Sequence, residues 1–491
     1  MTSSLNRRSF LAVGAALAAA TSLPRFAFGQ TSALKLSAAS RTLDIDGKAA
    51  RVYGLVNASG GSGLILDPGQ RFAVDLTNDL DVETIIHWHG QIPPNAQDGV
   101  PNMPAPLLKP GESRIYDFAA KTGTHWMHSH VPLQEMSLLA APLIVRSEAD
   151  TKADRQEVVM MLHDFSFKAP EEVLAEITGG AVNSTGAMSS MDMGKMGGAL
   201  DMSGMKGMSG MKGMSGMIGM AMDLNDYDFD AYLTNDRTLN DPEVVKVDAN
   251  GRVRLRIING SAATAYWIDA GTAEAKLVAV DGHDVQPLAG RRFGLAMGQR
   301  LDIEVDLTGT GAFPILALRE GAHERTGLIL ATGGSEVPRL AALADEAAPA
   351  FDPDLAQESA LRAVAPLREI ANARSEMLML AGSMQPYVWT INGKSWADHI
   401  PVTAKSAERL EITFHNMSMM GHPMHLHGHS FQVVDTGHGR FSGALRDTVY
   451  VPPMAMVTVA LDAGEAASWM LHCHHMPHLA SGMMTEFVVS V

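Results

Sequence analysis

HCHHMPHLASGM, residues 472–483, is the stretch that decides how this chain is read. It contains the only cysteine of the 491 residues, Cys473, flanked by His472 and His474. On an extended chain, residues i and i+2 share a face, about 6–7 Å apart, while the residue between them points away. His472 and His474 then present two imidazoles on one side and Cys473 a thiolate on the other. Metals held on the two sides would lie back to back, joined by a few covalent bonds. His478 and Met483 follow in a segment that can fold back toward the sulfur. Two His, one Cys thiolate and a weak axial Met form an electron-transfer copper set. A single cysteine makes no intrachain disulfide, so a metal-bound thiolate gives it a reason to be there.

Three other strings repeat the His-x-His spacing: HWHG (87–90), HSH (128–130) and HPMHLHGH (422–429). Imidazole suits copper, zinc and iron. One such pair alone is usually two polar strand residues; four pairs plus the one cysteine are a specific signal. His422, three residues before the third pair, supplies the second histidine for the Cys473 set. Zinc would use tetrahedral sites with no need of a cysteine-linked relay.

The frame around these strings reads as all-β. FAVDLTN (72–78), VRLRIIN (253–259), LDIEVDL (301–307), LEITFHN (410–416), MVTVAL (456–461) and EFVVSV (486–491) are short, β-branched and alternating, with turn residues between them. Such alternation fits antiparallel sandwiches with one face inward. Three blocks emerge, at 34–148, 155–334 and 372–491. An Ala-, Pro- and acid-rich linker spans 335–371, and a short helix is expected at 170–178.

Taken in order, the four strings resemble the signatures of three-domain multicopper oxidases, of the laccase and copper-resistance (cuprous oxidase) type. The resemblance covers the chain beyond its N-terminal segment. It implies three cupredoxin-like Greek-key β-sandwich domains and four copper ions: one type 1, one type 2 and two type 3. Carried over residue by residue, it makes His422, Cys473, His478 and Met483 the type 1 ligands, and His87 and His425 those of type 2. His89, His128 and His474 match the ligands of one type 3 copper; His130, His427 and His472 match those of the other. These are ten of the 19 histidines. A copper nitrite reductase shares the type 1 set but lacks the eight-histidine cluster. The implied cycle takes single electrons from a reductant at type 1 copper, through Cys473 to His472 and His474, and reduces O₂ to two waters.

Protons for that reduction need a carboxylate near the cluster. Asp98, in QDGVP, occupies the family's Asp-Gly position. Many relatives carry a second carboxylate near the last type 1 histidine, where this chain has Met476 and Leu479; Glu486 and Asp447 are the acids on offer elsewhere. The other histidines, His415 and His475 among them, receive no role.

A second signal is methionine. Residues 188–222 hold 12 of the 32 methionines, and Met202, Met205, Met208, Met211, Met214, Met217 and Met220 recur at every third position among Gly, Ser and Lys. A core segment would carry Leu, Ile, Val or Phe. Thioethers are soft ligands that select Cu(I). The run therefore reads as an insert in the second block that binds substrate Cu(I), as copper-resistance oxidases carry and typical plant and fungal laccases do not. NMSMMGHPM adds Met417, Met419 and Met420 just before His422, a position where some cuprous oxidases have an Asp and this chain has Ser418.

Arg7–Arg8, an apolar run from Phe10 to Leu23, and Ala27-Phe28-Gly29 have the form of a twin-arginine signal peptide over residues 1–29, which implies the export machinery as a partner and a periplasmic destination. The run is too short to span a bilayer comfortably, and no stable membrane insertion is expected. A net charge of −16 disfavours nucleic acid. The expected activity is oxidation of Cu(I) with O₂ in copper tolerance. The alternatives are a laccase acting on phenols, an Mn(II) or Fe(II) oxidase, or a periplasmic copper-sequestering protein without turnover.

Overall fold

The structure, a computed structural model, describes residues 33–179, 224–370 and 373–491. The twin-arginine segment and the methionine run from Met202 to Met220 lie outside the described residues. Three β-sandwiches follow one another along the chain. In the first, strands Lys48–Asn57, Leu34–Ile45, Phe72–Asn78 and Ser113–Phe118 lie side by side. They face a second sheet ordered Leu64–Leu66, Ala140–Val145, Gly123–Ser129, Ile86–His87. FAVDLTN alternates between buried and half-buried along its whole length, and its inward Phe72, Val74 and Leu76 pack with Trp88, Tyr116 and Leu143.

The middle and third sandwiches each pair a six-stranded with a five-stranded sheet, and their strand orders are identical. The six-stranded sheet of the middle sandwich runs Ala231–Thr234, Gln156–Phe165, Arg252–Asn259, Arg300–Asp306, Glu274–Val280, His283–Gly290. The matching sheet of the third runs Tyr387–Ile391, Arg374–Met384, Arg409–Asn416, Met456–Asp462, Phe431–Asp435, Leu445–Arg446. The chain thus folds one topology twice with little sequence repetition. The antiparallel expectation needs one amendment: every one of the six sheets contains a parallel pair, such as Leu34–Ala38 beside Val74–Asn78 and Arg374–Leu380 beside Leu410–Asn416. A parallel neighbour needs a crossover connection, and in each sandwich the chain crosses between sheets to make it. The helix expected near 170–178 is Pro170–Ile177, with Pro at its first turn and Glu171 and Glu172 at its N-terminus. No helix among the described residues is long and apolar enough to cross a membrane.

One local feature positions the site. Each His-x-His pair straddles the end of a strand: Ile86–His87, Gly123–Ser129, His422–Leu426 and Ser468–Cys473 each carry the first histidine of a pair at or near the last residue, and the second lies just beyond. Two ends belong to the first sandwich and two to the third. The docking of these sandwiches brings the four ends together.

Candidate metal centre

The eight histidines of the four pairs form one buried cluster. Along the chain, ring centroids are 5.7 Å apart for His87–His89, 6.1 Å for His128–His130, 4.8 Å for His425–His427 and 5.6 Å for His472–His474. Between sandwiches they are as close: 3.9 Å for His87–His427, 3.8 Å for His89–His425, 5.3 Å for His130–His472 and 5.2 Å for His128–His474. Within each sandwich strand pairing sets the register, His87 opposite His128 and His425 opposite His472.

Most of the outer nitrogens are anchored, although His474 Nδ1 is not. His87 Nδ1 lies 2.8 Å from the Asp98 carbonyl, His425 Nδ1 2.9 Å from the Asp447 carbonyl and His472 Nδ1 3.0 Å from the Cys473 carbonyl. The inner nitrogens are not. His87 Nε2, His89 Nδ1, His128 Nε2, His130 Nε2, His425 Nε2 and His474 Nε2 are buried without a hydrogen-bond partner. Buried polar atoms are rarely left so. His427 Nε2 and His472 Nε2 face each other at 3.1 Å, and ring nitrogens of His130, His427 and His472 all lie within 4.8 Å of one another. Anchored outer N–H groups with inward lone pairs are the arrangement of metal-ligating histidines. Burial holds His89, His128, His130, His425, His427 and His474 well below the usual histidine range, and His472 at about 4, so these rings are neutral at pH 7 and able to ligate.

A second, smaller group lies on the other side of Cys473. Its Sγ is 3.7 Å from His422 Nδ1 and 3.6 Å from His478 Nδ1, and these two nitrogens are 3.2 Å apart. All three residues are fully buried. His478 is carried by the short helix Met476–Ala480. The Cys473 amide donates to the Met483 carbonyl (3.1 Å) and the Met483 amide to the His478 carbonyl (3.0 Å), which ties the buried Met483 to the backbone of this group. Burial pushes the thiol pKa up; a cation between the three donors would reverse that. This donor set, imidazoles around one thiolate, fits copper.

Glycine makes room beside the eight-histidine cluster. Gly90 (φ +89°) and Gly298 (φ +76°) sit where a Cβ would lie 2.4 Å from Arg300 Nη2 and 2.8 Å from His474 Cδ2 respectively. Only glycine fits there without strain.

Three carboxylates border the eight-histidine cluster. Asp98 Oδ2 lies 2.9 Å from His427 Nδ1, on a side chain that is fully buried. Asp447 Oδ1 lies 3.1 Å from His89 Nε2, and both its oxygens accept from Arg300 (2.7 and 2.5 Å). Burial alone would raise the Asp447 carboxyl, but the Arg300 guanidinium holds it below the usual carboxylate range. Glu135, which the sequence did not single out, is the third. Its Oε2 is 2.9 Å from His128 Nδ1 and its Oε1 3.9 Å from His474 Nδ1, and neither oxygen has an aligned hydrogen-bond partner. Burial and the nearby Asp164 raise it well above the usual range. Glu486 stands apart, its carboxylate 3.4 Å from Ser468 Oγ.

A second unpredicted acid lies at the smaller group. Asp226, four residues after Met222, has a fully buried side chain with Oδ2 3.7 Å from both His478 Nε2 and His475 Nε2, and accepts a 2.6 Å hydrogen bond from Tyr387. His475 stacks on His478 at 3.9 Å, and Trp389 covers the pair at 4.0 Å from His478. Met420 is buried among the core residues beside His422, whereas Met417 and Met419 are exposed.

Three sequence profiles, each described as multicopper oxidase, match residues 38–150, 184–333 and 370–491. The chain belongs to the multicopper oxidases. It is 29% identical to the multicopper oxidase MmcO of Mycobacterium tuberculosis over 98% of this chain and 96% of that protein. It is 25% identical to copper resistance protein A of Escherichia coli over 95% and 94%. The fold superimposes on the crystal structure of a laccase from Botrytis aclada with a TM-score of 0.72, over 92% of this chain and 87% of that one, at 20% identity. As a multicopper oxidase it is an oxidoreductase that uses copper, O₂ and a reductant.

Proposed function

We propose that this multicopper oxidase oxidises Cu(I) to Cu(II) at the expense of O₂, in copper tolerance, after twin-arginine export to the periplasm. His422, Cys473, His478 and Met483 would hold type 1 copper. His87 and His425 would hold type 2 copper; His89, His128 and His474 one type 3 ion; His130, His427 and His472 the other. Bound there, copper supplies one-electron transfer and reduction of O₂. The chain supplies the rest. Cys473 and its two neighbouring histidines link the centres through bonds. Asp98 holds the His427 ring, and Glu135, protonated through burial, stands ready to give a proton near His128 and His474.

The observation that carries the choice of Cu(I) is the lid over His478. A phenol donates fastest when its ring touches the histidine edge, but here that edge is sealed by Asp226, His475 and Tyr387. A buried carboxylate suits a small cation better than an aromatic ring. The thioethers of Met202–Met220, which precede Asp226, and those of Met417, Met419 and Met420 would hold such a cation. The likeness to copper resistance protein A points the same way.

Oxygen consumption by the copper-loaded protein, with Cu(I) and separately with a phenol, tests this with and without residues 188–222. Deletion is expected to weaken Cu(I) turnover and to spare or raise phenol turnover. Unchanged Cu(I) turnover would make the run a passive insert and bring the laccase reading forward; Cu(I) binding without oxygen consumption would leave a sequestering protein.

A further inference from the structure

Among the described residues, exposed methionine is not scattered: those with high exposure are Met377, Met379, Met417, Met419, Met454 and Met456, each 43–62% exposed. All six belong to the third sandwich, and all but Met419 lie on or just beyond three neighbouring strands of one sheet. The strands concerned are neighbours, Arg374–Met384, Arg409–Asn416 and Met456–Asp462. Their register puts Met379 opposite His415, and His415 opposite Met456. Directly paired residues point to the same face with Cβ atoms about 5 Å apart. The three side chains therefore form a row, thioether–imidazole–thioether, on the outer face of the sheet.

The row has company. Met377, two residues before Met379, and Met417, two after His415, share its face. The Asn416 amide donates to the Ala455 carbonyl (2.9 Å), which carries the pairing one residue further and brings Met454 to the same end. At the other end of the same face the outward positions are Ser375 and Glu411, ordinary residues for an exposed strand, and Thr413 stands beside Met377. Partly exposed His415 makes no hydrogen bond to a described residue.

Ordinary packing does not account for this, because these side chains are not packed. Nor does a generic apolar patch, which would draw on Leu, Ile, Val or Phe. The shared property is the soft sulfur, set around one imidazole, and that selects a soft d¹⁰ ion. The patch also adjoins the smaller metal group: the Met454 amide donates to the Ser418 carbonyl (3.2 Å), and Ser418 Oγ lies 2.8 Å from His422 Nε2.

We propose that this face is a surface binding site for Cu(I), with His415, Met379 and Met456 as its ligands and Met377, Met417 and Met454 as the surrounding capture area. It shares Met417 with the thioethers named above and otherwise uses residues different from the ligands of the four copper positions and from the 188–222 run. As a docking point for substrate it rests on the cuprous oxidase reading; as a soft-metal site it stands on these residues alone.

The test uses the full-length protein with ¹³C-methyl-labelled methionine and Ag(I), a d¹⁰ ion that does not turn over. Methyl signals of Met379 and Met456, assigned through their Leu variants, are expected to shift as Ag(I) is added. His415→Ala should raise the midpoint of that shift at least tenfold. The double variant M379L/M456L should keep the blue absorption of the copper-loaded enzyme, which shows that it folds. Signals of Met379 and Met456 that stay still while other methionines respond would overturn the proposal, as would a midpoint unmoved by His415→Ala. Absence of Cu(I) turnover would defeat the proposed function but leave the Ag(I) result standing.

Discussion

At the scale of the residue, one cysteine carries the most. Cys473 is the sole thiol, fully buried, and meets His422 and His478 with its sulfur while its chain neighbours meet the other cluster. Cys473→Ser replaces a soft thiolate with a hard hydroxyl of similar size. The copper-loaded variant is expected to lose the blue absorption of a thiolate-bound copper and to keep its β-sheet circular dichroism. A retained blue band would remove Cys473 from the type 1 set. The functional residues that reading the sequence missed have a common cause. Glu135 and Asp226 lie five and four residues from their nearest motif, in no recognisable pattern, and matter only because packing aims them at His128 and His478.

At the scale of the element, strand ends and two short helices build the site. The strands were legible as alternating runs: LEITFHN is the body of Arg409–Asn416 and FAVDLTN is Phe72–Asn78 itself. The five-residue helices Pro132–Met136 and Met476–Ala480 were not, because one turn is too short for periodicity to show. Yet Pro132–Met136 is what turns Glu135 inward. Glu135→Gln preserves the shape and removes the proton. Oxygen consumption is expected to fall by about 10²-fold, the ordinary weight of a general acid, while stopped-flow reduction of the blue centre stays as fast as in the parent. Equal slowing of both steps would make Glu135 a structural support and not a proton donor.

At the scale of the whole molecule, the eight-histidine cluster is an interface. Half its rings come from the first sandwich and half from the third, and Arg300 of the middle sandwich ties Asp447 of the third from below. Cramming neutral imidazoles into a buried interface has a pH consequence. Burial holds His472 at about 4 and His422 at about 3, against about 6.5 in an unfolded chain. Between those values the unfolded chain binds more protons, so stability is full above about pH 6.5 and is lost as pH falls toward 4 and then 3. Thermal melts of the copper-free protein are therefore expected to drop steeply from pH 7 to pH 5, and those of the copper-loaded protein to start higher and drop at least as steeply, because bound ligands take up no protons. A flat copper-free profile would contradict buried neutral rings.

The sequence by itself determined the all-β class and the family, since alternation and ligand spacing are local properties that survive as written. It also placed the soft residues in the chain. Only the tertiary structure decided which carboxylates border the cluster, that Asp226 lies 3.7 Å from His478, and that Met379, His415 and Met456 stand in one row. Those facts join residues tens to hundreds of positions apart. Strand register and sandwich docking bring them together, and both are set by the sum of many weak packing contacts that no short motif encodes.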